Sequence, residues 1–369
     1  MNKEKALKNQ GLEFREDIKT GGGNMVRIGV IGCGKIAQTR HLPEYAGNKD
    51  CKIIGVYDLN FERASEIASQ YDATAYSSVE ELLADQQIDA VSICVANNAH
   101  AEISIQALNC GKHVLCEKPM ATTLEDCEKM VKAASENGKF LMIGQNQRLA
   151  KAHVKAKQLI ADGAIGTVRT FKTTFGHCGP ETWSIDPGKS SWFFDKKRAA
   201  MGAMADLGIH KTDLIQYLLD TTVAETRAFV GTLDKKDAAG NFIGVDDNAI
   251  CIYTMNNGIV GTMTASWSYY GEEDNSTVLY GTEGIMKIYS NPKFAIEIIT
   301  KDVEKVLYDI DKIQTNDNQT KSGIIDAFVE SIVKNEEPVI SGKSVLSAMR
   351  AVFASIEASE CGHTVKIRQ

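Results

Sequence analysis

The chain has 369 residues, 43% of them hydrophobic and 24% charged, a composition that builds packed cores and excludes a disordered or fibrous protein. That length exceeds the usual size of one core, so two domains are expected. A formal net charge of −7 offers no basic surface to a nucleic acid, and no apolar run approaches the roughly 20 residues of a spanning helix, so neither nucleic acid nor membrane is an expected partner.

Residues 1–24, ending in "TGGGN", are charged and polar, precede a second methionine at Met25, and read as a leader or tail with little apolar surface to bury. From Met25 the pattern alternates. "VRIGVIG" is a β-branched strand, "KIAQTRHLPEYAG" a helix, "CKIIGVYD" a strand and "NFERASEIASQYD" a helix. "DAVSICVA" and "HVLCEKP" are further strands around the helical "HAEISIQALNCG". A helix over residues 122–138 is opened by Thr122 or Thr123, with acids three positions on, and closed by Gly138; the strand "FLMIGQ" follows. Alternation of this kind predicts a parallel sheet covered on both faces over residues 25–145, an α/β, doubly wound, Rossmann-type dinucleotide-binding domain.

After that the texture changes. A helix at "AHVKAKQLIADG" and a strand at "TVRTFKTTFG" lead through a loop with Trp183 and Trp192 to the helix "MADLGIHKTDLIQYLL". Six strand-like runs then follow between Gly, Asn and Asp turns, and two helices end the chain, which predicts a C-terminal α+β domain over residues 146–369 with a largely antiparallel open sheet. The nine cysteines form no C-x-x-C pair, and Cys110, His113 and Cys116 lack zinc-ligand spacing, so reduced thiols in a cytoplasmic protein are expected and no metal.

"IGVIGCGKIA" places Gly32-x-Gly34-x-x-Ala37 directly after a strand and at the opening of a helix. Glycines there permit a tight turn and close approach of a pyrophosphate, and the helix N-terminus, at Lys35 and Ile36, offers free N–H groups to the anion. Asp58 ends the second strand where an acid accepts hydrogen bonds from the adenosine ribose and repels a 2′-phosphate, so NAD is expected over NADP.

In "MADLGIHKTDLIQYLL" an i, i+4 helix puts Asp206 above His210 on one face, with Asp213 and Tyr217 continuing the line and Leu207, Leu214, Ile215 and Leu218 opposite. Taken alone this is an amphipathic helix with its polar line in water.

Together, the glycine turn, Glu117-Lys118-Pro119, the Asp206-x-x-x-His210 pair and "YGTEG" at 280–284 occur in the order found in the Gfo/Idh/MocA oxidoreductases, which the chain resembles from about Met25 to its C-terminus. The resemblance implies a Rossmann domain, a C-terminal sheet often used for assembly into homodimers or homotetramers, and hydride transfer to or from sugars, polyols or cyclitols. It marks Lys118 as the active-site lysine, with a cis Lys118–Pro119 bond, Asp206 and His210 as the Asp–His pair, and Asp213 as a further acid of that helix. Asn97, His100 and Glu117 fall on the cofactor side, although "VANNAH" replaces the family's T-P-N-x-x-H and "AAMGAMAD" its glycine-rich entry to the helix.

On this reading His210, whose ordinary pKa suits neutral pH, is the acid/base. Asp206 orients the imidazole or holds substrate and favours the charged ring, and Lys118 stabilises alkoxide charge. Trp192 is a weaker candidate for a sugar face. Lys196, Lys197 and Arg198 read as a solvated loop. An NAD-using glycosidase on the same scaffold is the alternative; a non-catalytic sugar or nucleotide binder conflicts with intact Lys118, Asp206 and His210.

Overall fold

The computed structural model describes residues 25–185, 187–311 and 321–368, so the 1–24 leader lies outside the described residues. The first half runs β1 (Val26–Ile31), a π-helical turn (Ala37–His41) continuing into α1 (Leu42–Gly47), β2 (Cys51–Tyr57), α2 (Phe61–Tyr71), β3 (Thr74–Ala75), α3 (Val79–Ala84), β4 (Ala90–Ile93), α4 (His100–Asn109), β5 (His113–Cys116), α5 (Leu124–Asn137) and β6 (Leu141–Ile143). Its strands pair in parallel in the order β3-β2-β1-β4-β5-β6. β4 and β6 are buried along their whole length, as a sheet covered on both faces requires. Three of these helices begin where a side chain supplies a missing acceptor: Asn60 caps α2, Ser78 caps α3, and Thr123 caps α5, which ends on left-handed Gly138. In this strand order the crevice for a ligand opens between the C-terminal ends of β1 and β4, where the chain reverses direction across the sheet.

The second half runs α6 (Lys151–Ala161), β7 (Val168–Gly176), α7 (Lys196–Ala199), a π-helical turn (Met204–Gly208) leading into α8 (Ile209–Leu219), then β8 (Val223–Gly231), β9 (Asn248–Met255), β10 (Val260–Ser266), β11 (Thr277–Gly281), β12 (Gly284–Ile288), β13 (Ile296–Thr300), β14 (Lys305–Tyr308), α9 (Ile324–Lys334), α10 (Gly342–Cys361) and β15 (Val365–Lys366). These strands form one sheet in the order β14-β13-β12-β11-β7-β10-β9-β8-β15. It is antiparallel except at β7–β10, which run parallel over seven register pairs. The sheet is therefore open and largely antiparallel, as its alternating runs predict.

The structure rules out what the helix stretch suggests when taken alone. The helix carrying Asp206 and His210 is not an amphipathic surface helix: Ile209 through Gln216 are all buried, including Lys211 and Thr212 at 0% exposure. It lies between the sheet, α6 and α10, so its polar side chains must find partners inside the protein. The chain's last elements also return to the first half, where the Ile143 N–H donates to the Ile340 carbonyl (3.0 Å) and α10 packs on α5.

Candidate active site

A cavity of about 1310 Å³ runs from the C-terminal ends of the parallel strands to the front of α8. At its first end Gly32 holds φ +92°, and a Cβ there would stand 2.6 Å from the Cys94 carbonyl oxygen, whereas one on Gly34 would meet nothing within 4 Å. The turn is thus closed on the protein side and open on the cavity side, where Lys35 and Ile36 also lie. Asp58 braces it: Oδ2 accepts the Cys33 N–H (2.8 Å), Oδ1 accepts the Asn60 N–H (2.8 Å), and Arg63 stands 3.5 Å away. An open glycine cradle, a helix start and an acid at the end of β2 fit the pyrophosphate and adenosine ribose of a dinucleotide.

The other cofactor-side residues are anchored by contacts the sequence did not reveal. Asn97 donates to the Ala199 carbonyl (2.9 Å), joining this wall to α7. His100 sets Nδ1 2.7 Å from the Pro119 carbonyl and Nε2 3.1 Å from that of Val95, and burial pushes its pKa down, so the neutral ring donates to one of these and buttresses the loops after β4 and β5. Glu117 is the end of a buried chain. Its Oε1 accepts from His41 Nε2 (2.8 Å), His41 Nδ1 faces Ser92 Oγ (3.1 Å), and Ser92 Oγ faces the Tyr45 hydroxyl (2.7 Å). Burial pushes the Glu117 carboxyl up, but the His41 hydrogen bond and nearby positive charge more than reverse this, leaving it well below the usual carboxylate range. The only trace of this chain in the sequence is the run of polar residues in "TRHLPEY", just after the glycine turn.

Lys118, Asp206 and His210 come together from both halves, and the Lys118–Pro119 bond is cis, as expected. Lys118 Nζ donates to Asp206 Oδ1 (2.7 Å) and to its backbone carbonyl (2.8 Å), while Oδ2 accepts from Trp267 Nε1 (3.0 Å). Burial raises the Asp206 carboxyl and Lys118 lowers it further, so it stays ionised. Asp206 keeps one part of its expected role, since its charge pulls the His210 pKa up, while these contacts engage both of its oxygens elsewhere. The residue sits in the π-helical turn, whose wider winding breaks simple i, i+4 stacking, and its oxygens go to Lys118 and Trp267. Among the described residues, buried His210 Nδ1 has no hydrogen-bond partner. Burial and the Lys118 charge hold the His210 pKa well below its ordinary value against the pull of Asp206, so the ring is neutral.

Asp213, which the resemblance places beside this pair, is bound bidentately by Arg148 at 2.7 and 2.5 Å. Trp192 lines the cavity, stacked on Phe193 with ring centres 4.0 Å apart; Trp183 and Arg198 line it too, and the Arg198 guanidinium lies 5.9 Å from the Trp192 ring. His177, not singled out from the sequence, stands beside Asp206 with Nε2 3.9 Å from Oδ2.

Residues 26–145 match the family model described as "Oxidoreductase family, NAD-binding Rossmann fold", and residues 153–287 match the GFO/IDH/MocA C-terminal domain. The chain belongs to the Gfo/Idh/MocA oxidoreductase family. Levoglucosan dehydrogenase of Pseudarthrobacter phenanthrenivorans is 31% identical over 248 residues, which are 62% of this chain and 63% of that enzyme. Myo-inositol 2-dehydrogenase of Thermotoga maritima is 25% identical over 350 residues, 93% of this chain and 99% of that one. The structure of levoglucosan dehydrogenase with NADH and levoglucosan superposes with a TM-score of 0.81 at 25% identity, covering 93% of this chain and 99% of that chain. The cofactor of this Gfo/Idh/MocA protein is accordingly NAD, and the glycine cradle with Asp58 is the part of the cavity that fits it.

Proposed function

We propose that the protein moves a hydride between NAD and a hydroxyl or carbonyl carbon of a sugar, polyol or cyclitol. The observation that carries this is the meeting of Lys118, Asp206 and a neutral His210 in one cavity with the dinucleotide cradle. The relatives named above act on such compounds. NAD, when bound, supplies the hydride acceptor in oxidation and the donor in reduction. His210 takes the hydroxyl proton during oxidation, for which the uncharged ring is the competent form, and in its protonated form returns it during reduction. Lys118, fixed by two hydrogen bonds to Asp206, places a positive charge against the oxygen that becomes alkoxide-like. Asp206 thus acts on the lysine and on substrate. Gly32, Gly34, Lys35, Ile36, Asp58, Asn97, His100 and Glu117 form the cofactor wall, by direct contact or by bracing it. In this reading residues 25–145 are the cofactor domain and residues 146–369 the substrate and assembly domain.

The protein is further read as a homodimer or homotetramer. Phe229, Ile250, Ile252 and Val260 leave apolar surface on the outer face of β8, β9 and β10, and Phe229 is paired with Ile250 in register. The free state of all nine cysteines supports a reducing, cytoplasmic setting. Among the described residues no helix is long and apolar enough to cross a membrane.

A screen of inositols, aldoses and polyols with NAD, read at the NADH absorbance, tests the reaction. Net NADH formation is expected. Cleavage of a nitrophenyl glycoside with no net change in NADH would replace this reading with glycoside cleavage.

A further inference from the structure

The polar side chains of the π-helical turn Ala37–His41 serve the protein itself, with one exception. Gln38 Nε2 donates to the Cys33 carbonyl (2.8 Å), Thr39 Oγ1 donates to the Lys35 carbonyl (2.9 Å), and His41 bonds Glu117. Arg40 lies among them, is only 7% exposed and lines the cavity. Its Nε is buried and, among the described residues, has no partner; its Nη1 stands 3.7 Å from Glu117 Oε1, too far for a hydrogen bond. A buried guanidinium whose N–H groups lack acceptors is costly unless a ligand supplies them. The side chain of a helical residue leans toward the N-terminus of its helix, so Arg40 reaches back over the turn that opens at Gly34 and Lys35, beside the dinucleotide cradle. It also stands on the reacting side of that cradle, because its charge acts on Glu117 and on His210.

We propose that Arg40 clasps the phosphate of NAD nearer the nicotinamide, its guanidinium fork donating to oxygens that the glycine turn leaves free. This rests on NAD being the cofactor, whichever reaction follows. The first turn of a helix presents its few free N–H groups to one end of a pyrophosphate. The farther phosphoryl group needs a donor that reaches along the helix, and an arginine fork matches two phosphate oxygens at once. A water molecule or a sugar hydroxyl would satisfy an N–H but leave the charge unopposed. Glu117 does not fill this place, since its oxygens are bonded by His41 (2.8 Å) and by the Lys118 N–H (3.2 Å), which leaves the fork free to meet a phosphate. An anionic group on a substrate has the same kind of oxygens, and nucleotides measured without substrate separate the two sources.

The test is calorimetric titration of the full chain, without substrate, with AMP, ADP, ADP-ribose and NADH. AMP carries the adenosine-side phosphate alone, and ADP adds the second. In the wild type the second phosphate is expected to tighten binding, and to do so less at high salt. Arg40→Gln should weaken ADP, ADP-ribose and NADH alike, by about 10- to 100-fold, and leave AMP unchanged, which also shows that the variant is folded. Arg40→Lys, which keeps the charge and loses the fork, should recover part of the loss. A wild type that binds AMP and ADP equally, or a variant that loses AMP as much as ADP, overturns the proposal. So does a loss confined to NADH, which would place Arg40 at the nicotinamide. Nucleotide affinities that stay unchanged in Arg40→Gln overturn it as well and give the guanidinium to an anionic group of the substrate.

Discussion

His210 and Lys118 fail differently when removed, because one carries a proton and the other a charge. His210→Ala is expected to cut turnover by roughly 10²–10⁴-fold with NADH affinity near normal. The acidic limb of the wild-type pH profile should lie below 6.5, since burial and Lys118 favour the neutral ring, and it should vanish in the variant. Near-normal turnover would return the histidine to a packing role. Asp206→Asn should behave as a partner of Lys118: its effect should add to that of His210→Ala and overlap that of Lys118→Ala, because the carboxylate is bonded to the lysine and the imidazole is not. Kinetics of the two double variants decide this, and coupling to His210 in place of Lys118 would refute it. Asp58→Ala should narrow the preference for NAD over NADP and also weaken NAD itself, since the same carboxylate braces the Cys33 and Asn60 N–H groups. Equal affinity of the unmodified protein for both dinucleotides, by fluorescence titration, would sink the assignment.

At the scale of elements, the start of α8 is held by another strand's connection. The Asp246 carboxylate accepts the Gly202 N–H (2.7 Å) and the Met204 N–H (2.6 Å), and its carbonyl accepts from Ala203 (2.8 Å). A Cβ on Gly202 would fall 1.8 Å from the Asp246 carbonyl oxygen, so Gly202→Ala must push the π-helical turn away from its anchor. The expected result is a loss of about 1–3 kcal/mol in stability and a larger proportional loss of turnover than of NADH affinity, as Asp206 shifts against Lys118. A stable variant with normal kinetics would show that the turn has other places to rest. This anchoring also marks where sequence reading stops. The parallel sheet, Thr123, Gly138, the glycine turn and Asp58 were legible, because each rests on local periodicity, capping or an ordered motif; that Lys118 bonds Asp206 was not, since i, i+4 spacing sets that acid beside His210. The π-helical turns were not, since a shift from i+4 to i+5 bonding leaves the pattern of apolar residues almost unchanged. Nor were β14 and β15, two short edge strands, or the pairing of Asp213 with Arg148, which are 65 residues apart. His177 lies at the end of a strand that was read correctly, but its place beside Asp206 depends on a different element.

For the molecule as a whole, the histidines put most of their titration inside the protein. His113 is pushed down to about 4 and His153 to about 3, in each case chiefly by burial, and His210 is lowered in the same direction. In the unfolded chain these rings titrate near 6.5. Between the folded and unfolded values the unfolded chain binds more protons, so stability rises with pH across that window, is complete above about 6.5, and is lost as pH falls toward 4. Each unit of depression corresponds to about 1.4 kcal/mol. Carboxyls enter lower down. Glu117, held well below the usual range, removes stability only below its unfolded pKa near 4, and Asp213 and Asp246, raised by burial, act in the opposite sense above their unfolded values, where the folded protein holds more protons than the unfolded chain. As pH falls from 6.5 to about 5 the loss of stability therefore comes from the histidines. The thermal midpoint, followed by circular dichroism at fixed protein concentration without cofactor, is expected to fall steadily from pH 7 to pH 5. His153→Asn, which keeps a donor for the Gln147 carbonyl now bonded by Nδ1 at 2.7 Å and cannot titrate, should make that fall shallower. A midpoint that stays level from pH 7 to pH 5 would mean that these rings gain protons as easily in the folded protein as in water, and that their burial is opened by motion.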